Sequence, residues 1–283
     1  YALDLSVMEL SVMRRQVAQF NAEGITVEQH HAPSADGTPI PYYWVGKTPR
    51  QPETPTLVYV YGGFNVPELP HYMGAIGKHW LEQGNAFVLA NIRGGGEFTG
   101  WHEAAQRQHK HKSVDDLLAV VAHLCRQGYS RAERIAIQGG SNGGLIVAGA
   151  YTRQPENIGA MVCEVPLTDM LRYPHLLAGA SWQEEYGNPD AEPDRGYLKK
   201  LSPYHNLHGG QTYPPALITT NLSDDRVHPA HALKFHAKLR QHHAPSQLYT
   251  PASGGHTGNG TQQETAEELA CVLRFLAETI GGA

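Results

Sequence analysis

Short apolar runs alternate with helical stretches from residue 56 to residue 280, and this alternation restricts the possible fold more than any other feature. The predicted strands are TLVYVYGG, AFVLANIRGGG, IAIQGG, IGAMVCEVP, ALITTN and QLYTPA. The predicted helices are GAIGKHWLEQG, SVDDLLAVVAHLCRQG, GGLIVAGAYTRQ, HALKFHAKLRQH and TAEELACVLRFLAETI. Strands that are apolar throughout are typical of a parallel sheet covered by helices on both faces. We therefore predict an α/β fold with a doubly wound, mostly parallel sheet.

The chain before this region has the pattern of a β-hairpin. ITVEQHH and PIPYYWV both contain β-rich alternation, and they flank SADGT, in which Asp36-Gly37 is a turn signal. Apolar residues in the first 19 positions have mixed spacing that favours neither helix nor strand. We interpret residues 1–45 as an N-terminal extension with antiparallel edge strands, and residues 1–283 as one domain.

One region, from Pro166 to Pro215, interrupts the alternation. It is rich in aromatic residues and turn formers, and it falls between two predicted strands of the sheet. Insertions at such a place often shape a binding pocket, although a surface excursion fits the sequence nearly as well.

Composition excludes several classes of protein. A net charge of −5 without a long basic stretch argues against a nucleic-acid partner. No apolar run approaches the roughly 18 residues of a membrane span. The three cysteines form neither a disulfide framework nor a zinc pattern, which favours a reducing compartment such as the cytoplasm. We expect neither a metal nor a cofactor.

The stretch Gly139-Gly140-Ser141-Asn142-Gly143 matches the G-x-S-x-G pattern of a nucleophilic serine. It lies between a predicted strand and a predicted helix, which is the context that the pattern requires. A phosphate-binding turn is the alternative, but the stretch lacks the lysine and the glycine spacing of such loops. We therefore predict that Ser141 is a nucleophile.

A serine nucleophile needs a histidine base and a carboxylate that orients it, and in this fold class they follow in the order Ser, Asp or Glu, His. Among 17 histidines, His256 follows the last predicted strand, where the base belongs. The other histidines, including the run His109-Lys110-His111, suit solvated or packing roles better. The carboxylate is expected in the loop after ALITTN, where Asp224 and Asp225 are adjacent and spacing cannot choose between them.

Together these stretches resemble the prolyl oligopeptidase family of serine peptidases. The resemblance runs from about residue 34 to residue 256, in the family's order, through SADGTPIPYY, YVYGGFN, NIRGGGEF, GGSNGG, LTDMLRY, SWQEEYG, LSPYHN, SDDRVHP and GGH. It implies an α/β-hydrolase fold, and it selects Asp224 as the triad acid. It also implies that the Tyr61 hydroxyl and the Asn142 backbone N–H stabilise the oxyanion.

The resemblance further implies a pocket for the residue before the scissile bond. Its walls would be Phe64, Leu167, Trp182, Tyr186 and Val227, and Arg226 would bind a substrate carbonyl. Trp182 and Tyr186 are four positions apart, so on a helix both would face the same pocket. The structural alternatives are a packing role for Trp182 and an ion pair between Arg226 and Asp225.

Three departures from the family are visible, one of which is the stretch VPELPHY after Asn65, which matches the family poorly. Its members carry an N-terminal β-propeller, and this sequence has neither the length nor the repeats for one. We expect a catalytic domain cut from a longer protein, with a propeller as partner, or a single-domain relative. Thr257 also stands where the family has glycine after the base.

The sequence predicts a serine peptidase that cleaves short peptides through an acyl-enzyme, with cleavage after proline as its candidate specificity. An esterase or another acyl hydrolase with the same triad is the alternative, since fold does not fix the substrate. A non-catalytic binding domain fits an intact Ser–Asp–His set poorly.

Overall fold

A computed structural model describes residues 1–281, which contain an eight-stranded sheet with helices on both faces. The last two residues of the predicted domain, 282 and 283, lie outside the described residues. In chain order, the strands are β1 (Ala2–Asp4), β2 (Glu9–Ser11), β3 (Ile25–Pro33), β4 (Pro39–Lys47), β5 (Thr56–Tyr59), β6 (Ala86–Ala90), β7 (Ile135–Gly140), β8 (Ala160–Glu164), β9 (Ala216–Thr219), β10 (Ser246–Tyr249), β11 (Gly254–Gly255) and β12 (Gly258–Asn259). The helices are α1 (Gly74–Ile76), α2 (His111–Arg126), α3 (Asn142–Arg153), α4 (Gln183–Tyr186), α5 (Asp194–Leu201), α6 (Pro203–Asn206), α7 (Ala230–Gln241) and α8 (Gln262–Thr279).

The sheet has the order β10-β9-β8-β7-β5-β6-β4-β3. Strand pairs from β10 to β6 are parallel, whereas β4 pairs antiparallel with both β6 and β3. This confirms the predicted doubly wound, mostly parallel sheet, with the residue 25–47 hairpin as its antiparallel edge.

Successive residues of the strands face opposite sides of the sheet, and each side has its own apolar core. On one side, Val58, Ile137 and Met161 pack against α2, α3 and α7. On the other side, Leu57 and Ala136 pack with residues of α8, including Phe275 and Leu276. A two-residue period with both faces buried explains why these strands are apolar throughout.

Strand order reverses beside β5, and this reversal gives the sheet a crevice. The chain leaves β5 to form β6 on one side and then returns to form β7 on the other. In open α/β sheets, ligands bind beyond the carboxyl ends of the strands at such a point. Ser141 directly follows β7, so it lies at this crevice.

The structure departs from expectation in one predicted helix, and it gives the undecided first segment a conformation. The predicted helix GAIGKHWLEQG is a short α-helical turn that continues as a π-helix over Gly77–Leu81, closed by a bond from the Glu82 N–H to the Gly77 carbonyl. Within residues 1–19, β1 and β2 form a separate antiparallel hairpin. No helix in the described part of the chain is both long and apolar enough to cross a bilayer.

Candidate active site

Ser141 occupies a sharp turn between β7 and α3. Its backbone has φ 55° and ψ −113°, in a region that L-residues rarely adopt. The neighbouring glycines permit the turn, since a Cβ at Gly139 would lie 2.6 Å from the Gly143 carbonyl group, and one at Gly143 would lie 2.5 Å from the Val60 oxygen. The turn therefore projects the Ser141 side chain out of the sheet, at the amino terminus of α3.

His256 and Asp224 complete a chain of hydrogen bonds from Ser141. His256 Nε2 is 3.0 Å from Ser141 Oγ, and His256 Nδ1 is 2.8 Å from Asp224 Oδ2. Asp224 follows β9 and His256 follows β10, so three parallel strands deliver the three groups to one edge. The geometry lets His256 accept the hydroxyl proton while Asp224 fixes the ring.

The surroundings of the two adjacent aspartates differ. The Asp224 side chain is fully buried, and its Oδ1 accepts hydrogen bonds of 2.9 Å from the N–H groups of both Arg226 and Val227. These bonds hold the carboxylate in one orientation. Asp225 is exposed, and its side chain is not part of the hydrogen-bond chain to Ser141.

Tyr61 lines both cavities that reach Ser141, and Asn142 directly follows Ser141 in the chain. As the first residue of α3, Asn142 has a backbone N–H without an acceptor in a preceding helical turn. Its side chain is held at both ends: Nδ2 donates to the Tyr61 carbonyl at 2.6 Å, and Oδ1 accepts from the Tyr186 hydroxyl at 2.9 Å. Tyr61 lies beyond the end of β5, and burial raises the pKa of its hydroxyl, which keeps that hydroxyl a neutral donor.

A cavity of about 260 Å³ opens beside Ser141. Four of the residues predicted to bind substrate line it together with Tyr61 and Val66: Phe64, Leu167, Trp182 and Arg226. Most of this wall is apolar, with the guanidinium group of Arg226 as the one cation among the lining residues. The cavity can hold a small apolar side chain or ring next to the nucleophile.

The structure does not bring Tyr186 and Val227 to the surface of this cavity, unlike the other four residues predicted to bind substrate. Tyr186 is fully buried behind Phe64, whose ring it meets edge to face at 5.6 Å between centroids. Trp182 ends a 3₁₀ segment, Leu177–Trp182, and α4 begins only after it, so the four-residue spacing does not put both aromatic rings on one face. Val227 is 2% exposed and contributes its backbone N–H to Asp224.

A second cavity, of about 420 Å³, meets the first at Ser141 and Tyr61 and continues past His256. Its wall includes Glu164, whose pKa burial raises to about 7, against an opposing hydrogen bond from Gln138. Glu268 also lines it. Nothing in the sequence pattern marked Glu164, because a single acid at the end of an apolar strand has no motif.

Sequence reasoning also missed a buried charged cluster next to the Tyr61 loop. Lys110, expected in a solvated run, is fully buried, and its Nζ is 2.5 Å from Glu185 Oε1. His102 Nε2 lies 2.6 Å from Glu185 Oε2. The only available signal was the position of Glu185 within SWQEEYG.

Among residues 1–281, no group of three or more His, Cys, Asp or Glu side chains is arranged to bind a metal ion.

Fold and site together define a serine hydrolase of the α/β-hydrolase class. The sequence pattern of the prolyl oligopeptidase family matches residues 72–283. The chain therefore belongs to the prolyl oligopeptidase family of serine peptidases.

Individual relatives agree with this assignment. An uncharacterized peptidase of Sinorhizobium fredii is 38% identical over 283 residues, and the match covers 99% of this chain and 39% of the relative. A prolyl endopeptidase of Elizabethkingia miricola is 35% identical, with coverage of 95% and 39%. The structure of a post-proline cleaving enzyme from Rickettsia typhi superposes with a TM-score of 0.94 at 38% identity, covering 98% of this chain and 40% of that one. The chain thus spans about two fifths of the length of these relatives.

Proposed function

We propose that the chain hydrolyses peptide bonds on the carboxyl side of proline in short peptides, through an acyl-enzyme on Ser141. The observation that carries this proposal is the hydrogen-bonded series Ser141–His256–Asp224 next to a cavity walled by Phe64 and Trp182. Family membership supports a peptidase rather than the esterase alternative.

In the acylation step, His256 Nε2 accepts the proton of Ser141 Oγ while the oxygen attacks the scissile carbonyl carbon. The buried Asp224 carboxylate keeps the Nδ1 proton of His256 in place and stabilises the imidazolium ion. His256 then gives its proton to the leaving amine as the C–N bond breaks. In the deacylation step, His256 accepts a proton from water while the water oxygen attacks the ester carbon of the acyl-enzyme. His256 then returns the proton to Ser141 Oγ, which releases the acid product and free Ser141.

Negative charge develops on the carbonyl oxygen in both steps. The Asn142 backbone N–H and the Tyr61 hydroxyl are the donors that we assign to this oxygen. Removal of one such donor typically costs about 10²–10³ in kcat. Because α3 begins at Asn142, its partial positive charge at the amino terminus acts in the same direction.

Proline fits the smaller cavity for reasons of shape. A pyrrolidine ring is compact and apolar, and the flat indole of Trp182 offers it a rigid face. Arg226 lies at the same cavity, where its guanidinium group can donate to a backbone carbonyl of the substrate.

The test compares four chromogenic substrates: peptide amides ending in proline or alanine, and esters with a peptidyl or a simple acyl group. We expect turnover of the proline amide to exceed that of the alanine amide, and Ser141→Ala to abolish both at an unchanged far-ultraviolet spectrum. Turnover of simple esters alone would favour the esterase. Activity that persists in the Ser141→Ala variant would contradict the proposal.

We further propose that residues 1–283 act as one catalytic domain, and that a propeller domain is its partner in the full-length protein. The length of the relatives supports this view. We also infer a reducing, cytoplasmic environment, because Cys125, Cys163 and Cys271 are all free thiols.

A further inference from the structure

We propose that Glu185, Lys110 and His102, here called the Glu185 cluster, position the Tyr61 hydroxyl for oxyanion stabilisation. The proposal rests on the peptidase function above and assigns positioning residues to that reaction. Glu185 and Lys110 contact the loop 61–65, and none of the three residues is among those lining the two cavities at Ser141.

Glu185 and Lys110 hold this loop from two directions. Glu185 Oε1 accepts a hydrogen bond from the Phe64 backbone N–H at 3.3 Å, and Lys110 Nζ donates to the Gly62 carbonyl at 2.9 Å. Because Lys110 Nζ also donates to Glu185 Oε1, the two loop contacts form one connected network. Movement of either charged group therefore moves the loop backbone next to Tyr61.

The loop needs such external contacts because its own backbone is unfavourable. Phe64 and Asn65 have φ values of 54° and 56°, in the left-handed region that non-glycine residues rarely adopt. A conformation of this kind persists only when the surrounding structure imposes it. Phe64, one of these two residues, is the one whose N–H donates a hydrogen bond to Glu185.

A second connection reaches the same loop from the residue after Glu185. The Tyr186 hydroxyl donates to Asn142 Oδ1, and Asn142 Nδ2 donates to the Tyr61 carbonyl. Tyr186 thus contacts the Asn142 side chain, which in turn holds the Tyr61 carbonyl, while Glu185 contacts the Phe64 N–H. Trp182, three residues before Glu185, lines the substrate cavity. One short segment sets the spacing between the cavity wall and the oxyanion donors.

Charge explains why an ion pair serves this purpose. Burial opposes ionisation of Glu185, but the charge of Lys110 and hydrogen bonds from Lys110 and His102 outweigh it and hold the pKa of Glu185 below its ordinary value. A buried ion pair is weak evidence for stability, since apolar replacements are often equally stable. Its hydrogen bonds do impose direction, and here that direction is toward Gly62 and Phe64.

The experiment is a double-mutant cycle between Glu185→Gln and Tyr61→Phe. We expect Glu185→Gln to lower kcat by roughly 10- to 100-fold with little change in KM, since a misplaced donor fails only in the transition state. In the Tyr61→Phe background, the same change should cost less than about threefold, because the hydroxyl that it positions is gone. Additive losses, or an unchanged kcat, would overturn the proposal.

Two further variants distinguish a specific effect on kcat from a general loss of folding. Tyr151→Phe removes a buried hydroxyl that donates to the Pro214 carbonyl at 2.8 Å, outside the Tyr61 loop, and should lower Tm while leaving kcat unchanged. If Glu185→Gln does not fold, His102→Gln removes a partner at the partly exposed side of the cluster. Its smaller loss of kcat should likewise disappear in the Tyr61→Phe background, and additivity there would also overturn the proposal.

Amide hydrogen exchange tests the positioning without any turnover. Glu185→Gln should speed exchange in a peptide covering residues 61–65 at least tenfold, whereas Tyr151→Phe should not. Unchanged protection would overturn this inference. A wild-type chain with a protected loop but no Ser141-dependent turnover would instead contradict the proposed function.

Discussion

At the scale of single residues, the adjacent pair Asp224 and Asp225 separates two roles. We expect Asp224→Asn to lower kcat by about 10⁴, because the amide cannot keep His256 in the required tautomer. Asp225→Asn should change kcat by less than about threefold, since an exposed carboxylate contributes little through ion pairs. Steady-state kinetics on both variants, at matched thermal stability, make the comparison. Equal losses would remove the reason for choosing Asp224.

Glu164 makes stability depend on pH. Its ordinary pKa is 4.5, and burial raises it to about 7 in the folded chain. Between these values the folded state retains a proton that the unfolded state releases, so the free energy of unfolding falls as pH rises through this window. Glu164→Gln should remove this dependence. Between pH 5 and pH 8, the free energy of unfolding of wild type should therefore fall by about 1–3 kcal/mol more than that of the variant.

Urea unfolding of both proteins at the two pH values provides the measurement. Other carboxylates titrate equally in the two proteins, so the difference between their pH slopes isolates Glu164. Identical slopes would mean that Glu164 ionises normally in the folded chain.

Residue-scale prediction was most specific where chemistry and chain position coincide. Ser141 has a motif with a required context, and His256 follows the last strand of the sheet; their roles stay predictions, although the structure places them in contact. Lys110 and Glu185 had no comparable signal. Charged residues are mostly exposed, and only their mutual pairing across 75 positions makes burial tolerable, which sequence spacing does not reveal.

At the scale of elements, the 3₁₀ segment Leu177–Trp182 ends at a residue that lines the smaller cavity beside Ser141. We expect Trp182→Ala to lower the ratio of kcat/KM for proline over alanine substrates roughly three- to tenfold, through loss of one aromatic contact. Trp182→Phe keeps a flat ring and should largely preserve the ratio. Paired substrates measured on all three proteins test this. An unchanged ratio in the alanine variant would show that the indole packs outside the substrate's reach.

Strands and long helices were the most predictable elements, because both faces of the central strands are buried and α2 carries a regular apolar stripe. The local conformation of short segments was less predictable. Period-based reasoning put Trp182 and Tyr186 on one α-helical face, but a 3₁₀ segment and α4 meet between them. The choice between α, 3₁₀ and π turns depends on tertiary packing and has a weak sequence signal.

At the scale of the whole molecule, the β1–β2 hairpin exposes an apolar surface. Leu5 and Met8 are 75% and 72% exposed, with Leu3, Val7 and Leu10 also exposed nearby. Contiguous patches of this kind promote association. We expect concentration-dependent self-association of the chain, and Leu5→Ser with Met8→Ser should reduce it without lowering Tm.

Sedimentation velocity over a series of concentrations measures this association. Leu69→Ser is a suitable control, because Leu69 is 62% exposed but lies outside the hairpin. A chain that stays monomeric at every concentration, or equal effects of the control and the hairpin variant, would contradict the prediction.

The arrangement of Ser141, Asp224 and His256 on three strand ends has a consequence for folding. Ser141 and His256 are 115 positions apart. Within residues 1–281, β10, which precedes His256, is an edge strand that pairs with β9 alone. Turnover would therefore require contacts between segments that are far apart in the sequence. During refolding, the helical circular dichroism signal should recover before turnover. At mild denaturant concentrations that unfold β10 locally, turnover should be lost while most of the secondary structure persists.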